Sequence, residues 1–267
     1  SDDGNLYYPK RDSSGRYVQL FMYNLESNKE IQLTSKEKNN TTLIEFVQID
    51  NLASKIFMRI FRPSHQKSEL AAYNLKTEEM IVLGDMDNDT EVLNFDLCKK
   101  KKLIAVATYS KSEDLNNMQK ATKNQQTLEP PQYNLTIYDE DGSKVKDCKP
   151  IKDFVDDISI SPDGSLLLVS INTEWLQDNH GKTNSFCIQN VETGEIKQVL
   201  KSSDEFQEIG SARFSADGKG FFYLATKANA KPFVNDGNYT KVPNTIFYYD
   251  LQTNQSEEIW SADNKTI

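Results

Sequence analysis

Apolar and polar positions from Asp157 to Leu200 set out the unit that this chain repeats. The stretch opens D-I-S-I-S-P-D-G-S-L-L-L-V-S-I-N, and alternation through Ile158 and Ile160 predicts a strand with one buried face. Pro162, Asp163 and Gly164 form a turn. The apolar run Leu166 to Ile171 predicts a strand buried on both faces, and Ser185 to Val191 a third. Glu192, Thr193 and Gly194 reverse the chain, and Ile196 to Leu200 alternates as a fourth strand. Four short antiparallel strands joined in order by tight turns make one blade of a β-propeller.

The same unit can be traced along the whole chain. Ser1 to Gly4 and Ser215 to Gly218 repeat the turn of Ser161 to Gly164. Leu6 to Lys10, Val18 to Leu25 and Glu30 to Thr34 are expected as a first blade without its innermost strand. A second blade is expected at Ile44 to Ile49, Lys55 to Phe61, Glu69 to Leu75 and Met80 to Leu83. A third begins near Val92, continues through Leu103 to Tyr109 and Asn134 to Tyr138, and ends near Val145. The fifth runs through Ala212 to Phe214, Phe221 to Thr226, Thr245 to Leu251 and Glu257 to Trp260. Third strands end at Leu25, Leu75, Asp139, Val191 and Leu251, a spacing of roughly 50 to 65 residues that suits propeller blades with insertions. The expected fold class is all-β: one propeller domain over residues 1–267, with blades at about 1–35, 43–84, 91–148, 156–201 and 210–261. The missing first strand and the polar stretch after Trp260 lead us to expect part of a larger propeller or of a longer polypeptide.

Composition narrows the function classes. A content of 37% hydrophobic and 10% aromatic residues suits a β-rich core, and a net charge of −9 argues against a nucleic-acid partner. Lys99 to Lys102 is the one compact basic run, and it falls where the third blade needs a turn, so it is expected as a solvated turn. No apolar run approaches the ~20 residues of a membrane span. Cys98, Cys148 and Cys187 are odd in number and far apart, which excludes a disulfide framework; Cys187, inside a strand, is expected as a buried free thiol.

Loop length carries the functional signal. Turns between first and second strands and between third and fourth strands are short. The long connections join second to third strands, at Pro9 to Tyr17, Arg62 to Ser68, Ser110 to Gln132, Asn172 to Asn184 and Lys227 to Pro243. Antiparallel strands place all five on one face, which is the expected working surface. Its candidate binding residues are Arg62 and His65 in the second connection, Trp175, Asp178 and His180 in the fourth, and Phe233, Asp236 and Tyr239 in the fifth. Exposed aromatics beside charges suit recognition of a protein or peptide. In the alternative, Trp175 and Phe233 fold back over their own blades. Ser110 to Gln132 has little periodicity beyond Leu115 and Met118, and reads as a mobile lid or a disordered stretch.

Catalytic patterns are missing from the sequence. His65 and His180 are its two histidines, no G-x-S-x-G elbow accompanies them, and the cysteines and histidines are scattered. Asp85, Asp87 and Asp89 alternate like calcium ligands but lack the glycine and closing glutamate of an EF-hand, so a solvated loop between blades is expected. We therefore expect no cofactor, no metal and no catalytic residue in this chain.

The strings I-S-I-S-P-D-G-S-L-L-L-V-S and A-R-F-S-A-D-G-K-G-F-F-Y-L-A-T resemble the WD-like repeats of TolB-type propellers and of the propeller domain of prolyl oligopeptidase family serine peptidases. V-Q-L-F-M-Y-N-L-E-S-N-K-E-I-Q-L-T is similar to the second half of that repeat, closing on Leu33 and Thr34. Blades two and three depart from the S-P-D-G turn, with Asp50 and Asn51 in one and Lys99 to Lys102 in the other. The TolB-like resemblance implies a propeller that recruits protein partners. The peptidase resemblance implies a non-catalytic propeller gating an α/β-hydrolase domain elsewhere in the same polypeptide.

Overall fold

The turn residues that punctuate the sequence do so by a repeated hydrogen-bonding device. A computed structural model of the chain describes residues 4–50, 54–84, 86–124, 128–172, 185–202, 206–227, 233–234, 240–241 and 245–261. In the S-P-D-G turn the Ser161 hydroxyl donates to Asp163 Oδ1 at 2.6 Å and accepts the Leu166 N–H at 2.9 Å, while Gly164 takes φ +75°. The second copy does the same: Ser215 to Asp217 Oδ1 at 2.7 Å, with Gly218 at φ +73°. Third strands end on an Asn or Asp whose side-chain oxygen caps the next turn. Asn24, Asn74, Asp139, Asn190 and Asp250 accept backbone N–H groups two to four residues on. The true repeat position is thus one residue earlier than Leu25, Leu75, Val191 and Leu251, and is Asp139 itself in the third blade.

Contacts divide the chain into two compact units: residues 1–112 with 135–147, and residues 113–134 with 148–267. In the first unit, β1 (Asn5–Arg11), β2 (Val18–Asn24) and β3 (Lys29–Gln32) form a three-stranded sheet. A short helix, α1 (Lys36–Asn39), leads to β4 (Leu43–Asp50), β5 (Lys55–Arg62), β6 (Lys67–Asn74) and β7 (Met80–Val82), a four-stranded meander. The next meander contains β8 (Thr90–Cys98), β9 (Leu103–Ser110), β10 (Tyr133–Asp139) and β11 (Lys144–Asp147); of helix α2 (Lys111–Asn124), which follows β9 in the chain, only the first two residues belong to this unit.

The second unit contains β12 (Phe154–Ile160), β13 (Leu166–Asn172), β14 (Ser185–Asn190) and β15 (Ile196–Lys201) as one sheet. β16 (Phe206–Phe214) and β17 (Gly220–Lys227) pair with each other, and after the small ribbon β18 (Phe233–Val234) and β19 (Thr240–Lys241) come β20 (Thr245–Asp250) and β21 (Gln255–Ser261). Each sheet of blade type is antiparallel and runs in chain order, as the alternation predicts.

The β4–β7 sheet buries both faces, because successive side chains of a strand point oppositely. Ile56, Met58 and Ile60 of β5 join Leu20, Ile44, Ala71 and Tyr73 in one core, while Phe57 between them joins Leu70, Phe95, Ile104 and Val106 in another. Innermost strands are longer than alternation predicts because bulges interrupt it: at Glu45/Gln48 in β4, Val92/Asn94 in β8, Val155/Asp157 in β12, and twice in β16. Phe46, in the first of these, takes φ +48° and lies under the Arg59 guanidinium, 4.7 Å from its centroid.

Three expectations need correction. β1 extends through Pro9 to Arg11, so its connection to β2 is only 12–17. Arg62 is the last residue of β5 and pairs with Lys67 in the ladder, which leaves a four-residue turn, 63–66. The stretch after Ser110 starts not as a loop but as helix α2, which buries Asn117 and Ala121 and exposes the apolar Leu115 and Met118. Lys99 to Lys102 are an exposed turn as expected, and Cys187 is a free thiol, 7% exposed. Of the acidic string, Asp85 lies outside the described residues.

Candidate functional site

Lys67, Glu69, Ala71 and Tyr73 share one face of β6, since alternate residues line one side of a strand. Ala71 and Tyr73 carry that face into the core, so Lys67 and Glu69 enter it as charges, 2% and 4% exposed. Buried charges persist only when paired or hydrogen-bonded. Glu69 has three nitrogen-bearing side chains around it: His65 Nδ1 at 3.0 Å, Arg62 Nε at 3.4 Å and Lys67 Nζ at 3.6 Å. Lys67 also donates to the carbonyls of Met86 at 3.0 Å and Asp87 at 2.6 Å.

Neighbouring segments fasten onto this hairpin. Glu91 of β8 accepts the Ser68 N–H at 2.8 Å and faces Lys111 Nζ at 3.5 Å. Lys111, the first residue of α2, donates to the Gln66 carbonyl at 2.6 Å. On the other side the Asn40 amide donates to the Ser64 hydroxyl at 2.9 Å. Within this unit the β5–β6 turn, the sheet-to-sheet connections at Asn40 and Asp87, and the start of α2 therefore meet at one edge.

The Asp87 and Asp89 carboxylates are consumed in building that edge. Asp87 accepts from the Thr90 hydroxyl at 2.7 Å, and Asp89 from the hydroxyls of Ser110 at 2.5 Å and Ser112 at 2.7 Å. These hydroxyl donors hold both carboxyls below their ordinary range. Among the described residues no group of three or more metal-ligating side chains forms, and no helix is long and apolar enough to cross a membrane.

Of the candidate residues, Arg62 and His65 come together on Glu69, and the His65 side chain is 42% exposed. Phe233 lies on β18, opposite Lys241 of β19. Trp175, Asp178, His180, Asp236 and Tyr239 lie outside the described residues. Sequence reasoning missed Lys67, Glu69, Glu91 and Lys111. The available signal was a pair of charges at i and i+2 in phase with the apolar residues of β6.

No family model matches the chain. The uncharacterized protein YdjN of Bacillus subtilis is 25% identical over 183 residues, which are 68% of this chain and 51% of that protein; the chain thus spans about half the length of its curated relative. Among solved structures, an oligogalacturonate lyase in complex with manganese superposes with a TM-score of 0.69 at 14% identity, covering 97% of this chain and 63% of that one. TolB from Acinetobacter baumannii gives 0.54 at 14% identity, covering 98% and 52%. A prolyl endopeptidase gives 0.50 at 12% identity, covering 85% of this chain and 30% of that one. Identities this low speak to fold alone. With the ordered antiparallel meanders of this chain and its repeated S-x-D-G turns, they make its fold that of a TolB-like β-propeller.

Proposed function

We propose that this propeller is a non-catalytic binding module that takes a protein or peptide on the face bearing its second-to-third-strand connections. The observation that carries the reading is the tethering of the β5–β6 turn: Ser64, Gln66 and Ser68 are each held by a different segment, while the His65 ring stays accessible. An edge ordered in advance loses little conformational freedom when a partner docks, so its contacts translate into affinity. Trp175, Asp178, His180, Phe233, Asp236 and Tyr239 belong to the second-to-third-strand connections of the fourth and fifth blades in the sequence and are proposed as further binding residues. The likeness to TolB supports the propeller fold on which this reading is built.

The test is selection of peptides from a displayed library on the immobilised chain, followed by His65→Ala and Trp175→Ala together. The expected result is an affinity loss of about ten-fold, the size of a modest hot spot, with an unchanged melting temperature. Peptides that bind the double variant as well as the parent overturn the reading.

A second reading is favoured by the prolyl endopeptidase likeness, which covers 85% of this chain but 30% of that one. In it the propeller gates an α/β-hydrolase domain of the same polypeptide outside these residues. Labelling of the complete gene product by a serine-directed phosphonate supports this reading, and absence of labelling removes it.

A further inference from the structure

The turns β2–β3, β6–β7, β10–β11, β14–β15 and β20–β21 each hold one residue in the left-handed region: Asn28, Glu78, Gly142, Gly194 and Asn254, at φ of +53°, +56°, +87°, +70° and +55°. Glycine and asparagine suit that conformation, and glutamate does not. In two of these turns the residue also serves the tyrosine five positions before it. The Tyr23 hydroxyl donates to Asn28 Oδ1 at 3.0 Å, and the Tyr249 hydroxyl to Asn254 Oδ1 at 3.4 Å.

The equivalent pair in the β6–β7 turn is Tyr73 and Glu78, and there the bond is missing. Glu78 Oε2 lies 4.0 Å from Lys38 Nζ of α1, while the Tyr73 hydroxyl has no hydrogen-bond partner among the described residues although Tyr73 is 2% exposed. Burial, and after it the Glu78 charge, push the Tyr73 phenol up from its ordinary value, so the carboxylate stands within electrostatic reach of the hydroxyl. A cleft of about 260 Å³ opens at this point, with Ile31, Leu33, Lys38, Tyr73 and Glu78 among its lining residues. It lies at the other end of β6 from the β5–β6 turn and is independent of the peptide-binding face proposed above.

We propose that this cleft binds a free α-amino acid with an apolar side chain. The ammonium donates to Glu78 and to the Tyr73 hydroxyl oxygen, the carboxylate accepts from Lys38, and the side chain lies against Ile31 and Leu33. Three observations select this ligand. The volume is below the ~300–1,000 Å³ of pockets for drug-sized molecules, which limits the occupant to a small metabolite. A cation and an anion stand side by side at the cleft, and an α-amino acid carries the opposite pair on one carbon. The Lys38 and Glu78 side chains are 56% and 73% exposed, so their own ion pair holds them only weakly and a ligand separates them at little cost. A glutamate kept where the backbone favours asparagine is the kind of local misfit that functional sites retain.

Isothermal titration calorimetry of the 267-residue chain with L-leucine, L-valine and L-methionine is the test. At least one should bind at one site per chain, and its N-acetyl and amide derivatives, each lacking one charge, should bind about ten-fold more weakly. Tyr73→Phe should weaken binding about five-fold, the worth of one hydrogen bond, and Glu78→Gln about ten-fold. Absence of binding by all three amino acids at millimolar concentration overturns the proposal. Derivatives or variants that bind as well as the parent pair do the same. Glu78→Asn gives a second readout that needs no ligand. By restoring the tyrosine bond and suiting the turn it should raise the melting temperature by about 2–4 °C while abolishing binding. A lowered melting temperature would show that Glu78 is kept for stability, and would also overturn the proposal.

Discussion

Asp89 holds Ser112 by two bonds: its Oδ1 accepts the Ser112 N–H at 2.8 Å and its Oδ2 the Ser112 hydroxyl at 2.7 Å. A carboxylate set against the first N–H groups of α2 both satisfies an orphan donor and meets the positive end of the helix dipole. Asp89→Ala should therefore speed hydrogen exchange at the start of α2 and lower the melting temperature by about 2–4 °C. The carboxyl is held low by the Ser110 and Ser112 hydroxyls, so its contribution is present above the unfolded value and lost as pH falls through the folded one. Parent and variant should converge in acid. A constant gap down to the lowest pH would show that charge plays no part.

Asp163 is the strongest carboxylate in the turns. Donation from the Ser161 hydroxyl, then from Ser165, brings its pKa down to about 2. Its stabilisation is complete above the ordinary carboxylate range and disappears between there and about pH 2, and with solvent screening it amounts to about 1 kcal/mol. Asp163→Asn should flatten the fall in melting temperature over that window, measured by calorimetry. An unaltered slope would assign acid sensitivity to other groups.

Glu69 neutralises a lysine that has almost no access to water. Glu69→Ala leaves Lys67, 3% exposed in its side chain, with backbone carbonyls alone, and should cost about 3 kcal/mol in urea unfolding. Lys67→Met with Glu69→Leu removes both charges and should recover most of that loss. If the pair of substitutions is as destabilising as Glu69→Ala, the charges do more than balance one another.

Cysteine reactivity should separate the three thiols. Burial, with the Asp153 carboxylate as a smaller influence, pushes the Cys187 thiol up to about 11, and Cys98 is 1% exposed; Cys148 is partly exposed. Since the thiolate is the nucleophile, Ellman's reagent at mildly alkaline pH should modify Cys148 in the native protein and all three thiols in guanidinium. Rapid native modification of Cys187 contradicts this.

Phe221 and Phe222 are neighbours with unequal duties. Phe221 is fully buried among Phe186, Tyr223 and Tyr249, so Phe221→Ala should cost about 3–5 kcal/mol, whereas Phe222→Ala in the same chain should cost under about 1. Equal losses by denaturant unfolding would mean that both faces of the sheet are packed in this chain.

Strand order, turn positions and the blade repeat were legible in the sequence because each rests on a short-range rule. Alternation tells which side of a strand is buried, and a Ser-x-Asp-Gly turn carries its own hydrogen bonds within five residues. Leu166 to Ile171 and Phe221 to Thr226 could therefore be placed to within a residue. Bulges shortened the prediction for β16, since each inserted residue reverses the phase of the alternation.

Other features depend on residues far apart in sequence. Helix α2 has weak apolar periodicity, and its cap comes from Asp89, more than twenty residues upstream, so Ser110 to Gln132 read as a loop. Arg62 and His65 were recognised as residues of a connection, but not that they converge on Glu69. That convergence depends on the β5–β6 ladder pairing Arg62 with Lys67 and on β8 bringing Glu91 alongside. Which face of the last sheet is covered was equally out of reach of the sequence: Phe221 and Phe222 are the same residue type, and only the packing of Phe186 against one of them makes them different. Local periodicity determined the strands and turns of this protein; contacts between sheets decided where its charges pair and which surface is left bare, because those interactions act through space.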